Sequence, residues 1–339
     1  MTTTTHPRAQ GSRDRDRESR SSLYEGVTRQ IIAALEAGRF PWVQPWAASM
    51  GAGLAPGLPR NALTARPYSG VNILLLWHAV TARGYPSQCW LTFRQALQAG
   101  GCVAKGAQGV TLVYADRFVP KAEGERAARE QDDPRAVAFL KRFTVFNVAQ
   151  CEGLRAGLAT DAAPRPEREI VPAAESLIKA SSADFRIGGA RAFYAPGPDF
   201  VQVPPQQAFP DQINYYRTAL HELTHWTGHK ARLARDFSGS FGSAAYAREE
   251  LVAEMGAAFL CAALGIVPTV RHADYLACWL AVLQDNLSDD PAVRGTSGPR
   301  GQAIFRAAAA ASRAADYLLA LKDRADVERR ASVPEGRAA

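Results

Sequence analysis

The chain has 339 residues and a mass of 36.6 kDa, 47% of it hydrophobic, enough for two domains with real cores; wholesale disorder is excluded. Apolar runs such as Val71–Trp77 fall short of the roughly 18 to 20 residues that cross a bilayer, so no membrane partner is expected, and residues 1–22 lack the apolar stretch of a secretory signal. The net charge of +7 is uneven: residues 23–121 hold nine basic and three acidic side chains, residues 156–339 hold 20 and 21, so a polyanion partner is expected of the N-terminal part.

Residues 1–22 mix Thr, Ser, Arg and Asp without an apolar period and read as a disordered tail. Val27, Ile31, Ala34 and Leu35 then recur at helical spacing until Gly38. The run FPWVQPW and a Gly/Pro-rich loop from Gly51 to Pro59 precede two further helices, YSGVNILLLWHAVTARG and WLTFRQALQAGG. GVTLVYADRFVP and FLKRFTVFNVAQ, rich in Val, Phe and Thr, read as strands separated by the charged loop EGERAAREQDDPRA. The spacing predicts an α+β domain over 23–155, with the boundary in the proline-containing stretch AGLATDAAPRPEREIVP. The second domain, 156–325, opens with the helix PAAESLIKAS and two extended runs, ARAFYAP and DFVQVP, joined at Gly197 and Pro198. Helices QINYYRTALHELTHWTG, AREELVAEMGAAFLCAALG and ADYLACWLAVLQDNL follow, with a last one over 302–322 and a second tail at 326–339. The five cysteines form no CxxC pair, which argues against a disulfide framework and a cysteine zinc site and fits a reducing cytoplasm.

His221 and His225 frame HELTH, an HExxH pattern. On a helix, residues four apart stand one turn above each other, so both imidazoles reach one tetrahedral Zn2+ ion while Glu222, about 100° round, reaches the water on it as general base. A third ligand is required. His229 is a poor candidate because it follows Gly228, and the metzincin pattern needs its third histidine where this chain has Ala231. Glu250 and Glu254 lie four apart on an apolar helix, where buried carboxylates need a cation or donors. Glu250 is taken as ligand and Glu254 as the group orienting a histidine, with the reverse assignment left open. Glu249 reads as a solvated charge. DFVQVP is a candidate edge strand beside the cleft for pairing with a peptide. His272 and Tyr246 are minor candidates for stabilising an oxyanion.

Four of the six tryptophans lie between 42 and 90, interleaved with arginines. Flat side chains stack on single-stranded bases and cations follow the backbone, which nominates Arg39, Trp42, Trp46, Arg60, Arg66 and Lys105 as the DNA-binding set. Trp77 and Trp90 fall on apolar positions and read as core.

The segments PRNALTARPYSGVNILLLW, GYPSQCWLTFRQALQAGGCVAKGAQG and TVFNVAQCEGL, with HELTHWTGH and YAREELVAEMGAAFLCAALGI, resemble the ArdC family of plasmid-borne antirestriction proteins, related also to the N-terminal region of TraC-type primases. The resemblance runs from about Leu23 to Leu321. It implies a single-stranded-DNA-binding domain joined to a zincin-like metallopeptidase domain that protects incoming DNA from host restriction during conjugation. The implied partners are single-stranded DNA and a host restriction-system protein. It carries His221 and His225 as zinc ligands, Glu222 as base, and the third ligand as one of Glu250 and Glu254. The stretch SDDPAVRGTSGPRGQ at 288–302 departs from it as an insertion.

Overall fold

The computed structural model describes residues 10–42, 57–118, 137–155, 157–158, 170–240, 242–267, 276–294 and 300–331. Helix α1 spans Gln10–Glu36, beginning inside the segment read as a tail. Its inner half is anchored by buried Val27, Ile31 and Leu35; once that nucleus exists, each residue added outward gains a backbone hydrogen bond at little further cost. The same effect accounts for the last helix running on to Ala331, past its expected end at residue 322 and into the segment read as a second tail.

The N-terminal part comprises β1 (Arg60–Asn61), α2 (Val71–Arg83), β2 (Cys89–Leu91), α3 (Phe93–Gln98), β3 (Cys102–Val103), β4 (Val110–Phe118), β5 (Val137–Asn147) and β6 (Cys151–Glu152). The two runs expected as strands are β4 and β5, an antiparallel pair in register from Val110↔Val145 to Phe118↔Val137. They continue into a four-stranded sheet of order β1-β2-β5-β4. Trp90 and Leu91, read as the start of a helix, belong to β2; Thr92 then caps α3 in a reciprocal capping box with Gln95, so the helix begins only at Phe93. The charged loop at 123–136 lies outside the described residues.

The C-terminal part comprises α4 (Pro172–Ser181), β7 (Asp184–Ile187), β8 (Phe193–Ala195), β9 (Phe200–Val203), α5 (Ile213–Thr227), α6 (Ala244–Ala263), α7 (Leu276–Asp285), α8 (Pro291–Arg294) and α9 (Ala303–Ala331). The departure at 288–302 thus holds a short helix, α8. The small sheet has the order β7-β9-β8. DFVQVP is therefore its central strand, parallel to β7 and antiparallel to β8, and the edge role expected of it falls to β8. The short DFRI run of β7, missed in the sequence, occupies the other side of β9 and removes its free edge.

Helices α5 and α6 are buried around most of their circumference. They cross closely at Gly256, where a Cβ would stand 2.5 Å from Thr224 Cγ2. Packing also crosses the boundary drawn in the sequence. Trp77 meets Phe259 edge-on at 5.8 Å, Thr28 Oγ1 donates to Gly301 O at 2.7 Å, and Arg300 pairs with Glu25 at 2.8 Å. One continuous apolar core results, running from Val27 to Leu318.

Candidate metal centre

Helix α5 carries HELTH at its C-terminal end and presents the two imidazoles edge to face, their centroids 4.9 Å apart. Glu250 on α6 faces both. His221 Nε2 lies 3.6 Å from Glu250 Oε2, and His225 Nε2 lies 3.6 Å from Glu250 Oε1. Three donor atoms, one from each residue, all fall within 4.8 Å of one another, and all three residues are buried. These separations are long for hydrogen bonds but close to the roughly 3.4 Å between two ligands of one tetrahedral ion at about 2.0–2.1 Å. The donor set of two imidazoles and a carboxylate suits a divalent cation of the zinc type. Glu254 stands behind rather than among these atoms, its Oε1 3.8 Å from His221 Nδ1.

The second imidazole has a partner that sequence reasoning missed. Glu249, read as a solvated charge, is buried, with Oε1 3.1 Å from His225 Nδ1. An ionised carboxylate only accepts, so Nδ1 carries a proton toward Glu249, which leaves Nε2, on the Glu250 side, as the nitrogen that would give its lone pair to a metal ion. Glu249 is itself gripped by Arg235 through Nη2 to Oε1 at 2.9 Å and Nε to Oε2 at 3.0 Å. The chain reaches this position because α5 ends at Thr227 and doubles back, with Arg235 N donating to Gly228 O at 2.8 Å. A Cβ on Gly228 would stand 2.6 Å from the Phe237 ring and 2.8 Å from Arg235 Nη2, so a side chain there would displace the ring or the guanidinium that grips Glu249. Arg235 also donates to Thr227 Oγ1 and to Thr224 O, satisfying a carbonyl at the negative end of the helix. The one hint in the sequence was the Glu249–Glu250 doublet itself.

Burial works against charge here, and ion pairing prevails. It would lower the His225 pKa, but the hydrogen bond and charge of Glu249, with Glu250 and Glu222 nearby, raise it to about 9. Burial would raise Glu250, but the two histidines and a hydrogen bond from Tyr246 hold it at about 2. Glu249 is likewise held below the usual carboxylate range by His225 and Arg235 against the effect of burial.

A cleft of about 340 Å³ opens over this cluster, lined by Glu222, Tyr246 and, from β8, Phe193 and Tyr194. The β8–β9 turn is tied to the end of α5. Asp199, in a left-handed conformation at φ 56°, accepts from Tyr194 Oη at 2.9 Å and from Arg232 Nη1 at 3.0 Å, while the Arg232 guanidinium lies 3.8 Å above the Trp226 ring. His229 stands apart from the donor cluster, 3.9 Å from Asp199. His272 lies outside the described residues.

The nominated DNA-binding residues fare unevenly. Arg39, Arg66 and Lys105 are exposed and Arg60 is half-buried. Trp42 is a correction: it is fully buried, edge-on to Trp279 at 5.6 Å and to Phe40 at 6.0 Å. The apolar face of α7 gives it a place in the core that the Pro-rich local sequence did not reveal. Trp46 lies outside the described residues, and Trp77 and Trp90 are buried as expected. Among the described residues of this part, the exposed aromatic rings are instead Phe93 (53%) and Tyr114 (51%).

Comparison with known proteins matches residues 21–146 to the N-terminal domain of the anti-restriction factor ArdC and residues 172–292 to the zincin-like metallopeptidase family. The uncharacterized protein y4eC of Sinorhizobium fredii is 38% identical over 310 residues, covering 90% of this chain and 94% of y4eC. DNA primase TraC of Escherichia coli is 36% identical over 327 residues; this accounts for 91% of this chain but only 28% of that primase. The metal-free crystal structure of the antirestriction protein ArdC from plasmid R388 superposes with a TM-score of 0.70 at 33% identity, covering 89% of this chain and 98% of that one. Its Mn(II)-bound structure gives 0.67 at 34% identity, with 88% and 98% covered. No described helix is long and apolar enough to cross a membrane. The chain belongs to the ArdC family of antirestriction proteins, with an ArdC-type N-terminal domain followed by a zincin-like metallopeptidase domain.

Proposed function

We propose that this chain is a cytoplasmic antirestriction protein that binds single-stranded DNA through its N-terminal part and carries a Zn2+-dependent peptidase centre in its C-terminal part. The observation that supports the centre most directly is the facing of His221 Nε2 and His225 Nε2 onto the two oxygens of Glu250, each at 3.6 Å. His221, His225 and Glu250 hold the ion in this reading, and Glu254 and Glu249 orient the two imidazoles. That the R388 relative has an Mn(II)-bound form supports a divalent cation as the ion of this chain.

Zinc held by His221, His225 and Glu250 would lower the pKa of a water and polarise a scissile carbonyl. Glu222, lining the same cleft, takes the proton from the attacking water on its carboxylate and passes it to the leaving amide nitrogen. Tyr246, whose hydroxyl donates to Glu250 in the free site, turns it toward the developing oxyanion. Among the described residues strand β8 pairs with β9 alone, so an extended peptide adds to its other edge, with Phe193 and Tyr194 forming the wall beside the reacting carbonyl. For the DNA function, exposed Arg39, Arg66 and Lys105 and half-buried Arg60 supply cations, and Phe93 and Tyr114 supply the stacking faces expected earlier of the tryptophans. A component of the host restriction system is the protein substrate.

The test is conjugative transfer into a restricting recipient. Glu222→Ala is expected to abolish protection of the transferred DNA while zinc and single-strand binding persist. Full protection by that variant would instead assign the centre a bracing role and leave strand coating as the protective act.

A further inference from the structure

A second and larger cavity, about 720 Å³ against about 340 Å³ for the metal cleft, lies between the first turns of α6 and the Ala-rich face of α9. The two spaces share Asp236, Ala245 and Glu249 in their linings and are therefore neighbours on the molecule. Its volume falls within the roughly 300–1,000 Å³ typical of ligand sites. Val252, Val282 and Ala307 contribute an apolar lining, and Phe305, also part of the lining, is fixed edge-on against Tyr24 at 4.6 Å.

The cavity is also cationic. Arg248 on α6 and Arg306 and Arg313 on α9 line it and are exposed. Arg306 donates to Gln302, and among the described residues neither Arg248 nor Arg313 meets a carboxylate. Arg235, which also lines the cavity, is already matched by Glu249, which leaves three arginines against Asp236. An apolar lining with an uncompensated arginine rim is complementary to a segment that alternates carboxylates with apolar side chains. A nucleic-acid strand fits less well, since its backbone needs a continuous track of cations and its bases need exposed stacking faces, whereas Phe305 and Tyr24 are packed against each other.

We infer that this cavity is a docking site for an acidic, apolar-containing segment of the protein substrate, bound beyond the peptide held at the metal centre. The inference rests on the peptidase reading for its place in the reaction, but binding is measurable without hydrolysis.

The experiment titrates the full chain with a fluorescein-labelled, end-capped decapeptide of alternating Glu and Leu, followed by anisotropy, with a Lys–Leu decapeptide and oligothymidylate as comparison probes. The Glu–Leu peptide is expected to bind the wild type and to weaken with added salt, and the Lys–Leu peptide is expected not to bind. Arg248→Glu combined with Arg313→Glu is expected to weaken Glu–Leu binding by about tenfold or more with oligothymidylate binding retained. Should that variant fold poorly, Arg248→Gln with Arg313→Gln decides the matter by a smaller loss in the same direction. Glu222→Ala is expected to bind the peptide as the wild type does, so a failure of the hydrolytic reading is separable from a failure of docking. Unchanged Glu–Leu binding in both arginine variants, or a loss confined to oligothymidylate, would overturn the inference.

Discussion

Glu249 Oε1 lies 3.1 Å from His225 Nδ1 and is clamped on its other side by Arg235, so one imidazole of the HExxH pair is oriented through a buried carboxylate and a guanidinium. The arrangement keeps a proton on Nδ1 as well as fixing the position of the ring, since a carboxylate accepts only from a protonated nitrogen.

Glu249→Gln weakens that constraint without emptying the space. We expect metal affinity to fall by about 10 to 100-fold, the range for loss of a partner that orients a ligand histidine. Competition against a chromophoric chelator with Zn2+ and Mn2+ measures it, and an unchanged affinity would show that Glu249 acts on Arg235 alone.

The crossing of α5 and α6 depends on the absence of a side chain at residue 256. Gly256→Ala places a methyl 2.5 Å from Thr224 Cγ2 and is expected to destabilise the protein by about 1–3 kcal/mol in urea denaturation. Thr224→Ser removes the nearest obstructing atom, so the double variant should be less destabilised than the sum of the two single ones.

Trp42 and Phe93 should separate stability from strand binding. Trp42→Ala opens a cavity in the core and is expected to cost about 3–5 kcal/mol of stability. Phe93→Ala, at a site 53% exposed, should leave the melting temperature nearly unchanged and weaken single-strand binding by about 1–3 kcal/mol. Anisotropy titrations paired with thermal melts read both quantities, and a binding loss for Phe93→Ala no larger than for a distant surface alanine would remove it from the interface.

Asp199 gives the tether of the β8–β9 turn a pH dependence. The hydrogen bond from Arg232 and then that from Tyr194 hold its carboxyl below the usual range, against partial burial. A depressed folded pKa means that the stabilisation is fully present above the unfolded value of about 3.9 and is lost as pH falls through the lower folded value. The stability difference between the wild type and Asp199→Asn should therefore be constant above about pH 5 and shrink in acid. Urea midpoints across that range test it; a difference that persists unchanged below the folded pKa would assign the tether to shape rather than charge.

The helices and the metal motif were legible because they are local. Four-residue spacing alone stacks His221 over His225, and apolar periodicity marks the cores of α2, α5 and α6. Strands β4 and β5 were legible from their Val, Phe and Thr content, their antiparallel pairing only from the structure. What lay beyond the sequence depended on neighbours distant along the chain. Burial of Trp42 required the face of α7 that carries Trp279. The central place of β9 required the short β7 on its far side. The placing of Glu250 before both Nε2 atoms, with Glu254 behind His221 and Glu249 behind His225, required the register of α6 on α5, which is set where Gly256 meets Thr224. Local periodicity says which residues share a face of a helix; only packing against a second helix says what that face meets.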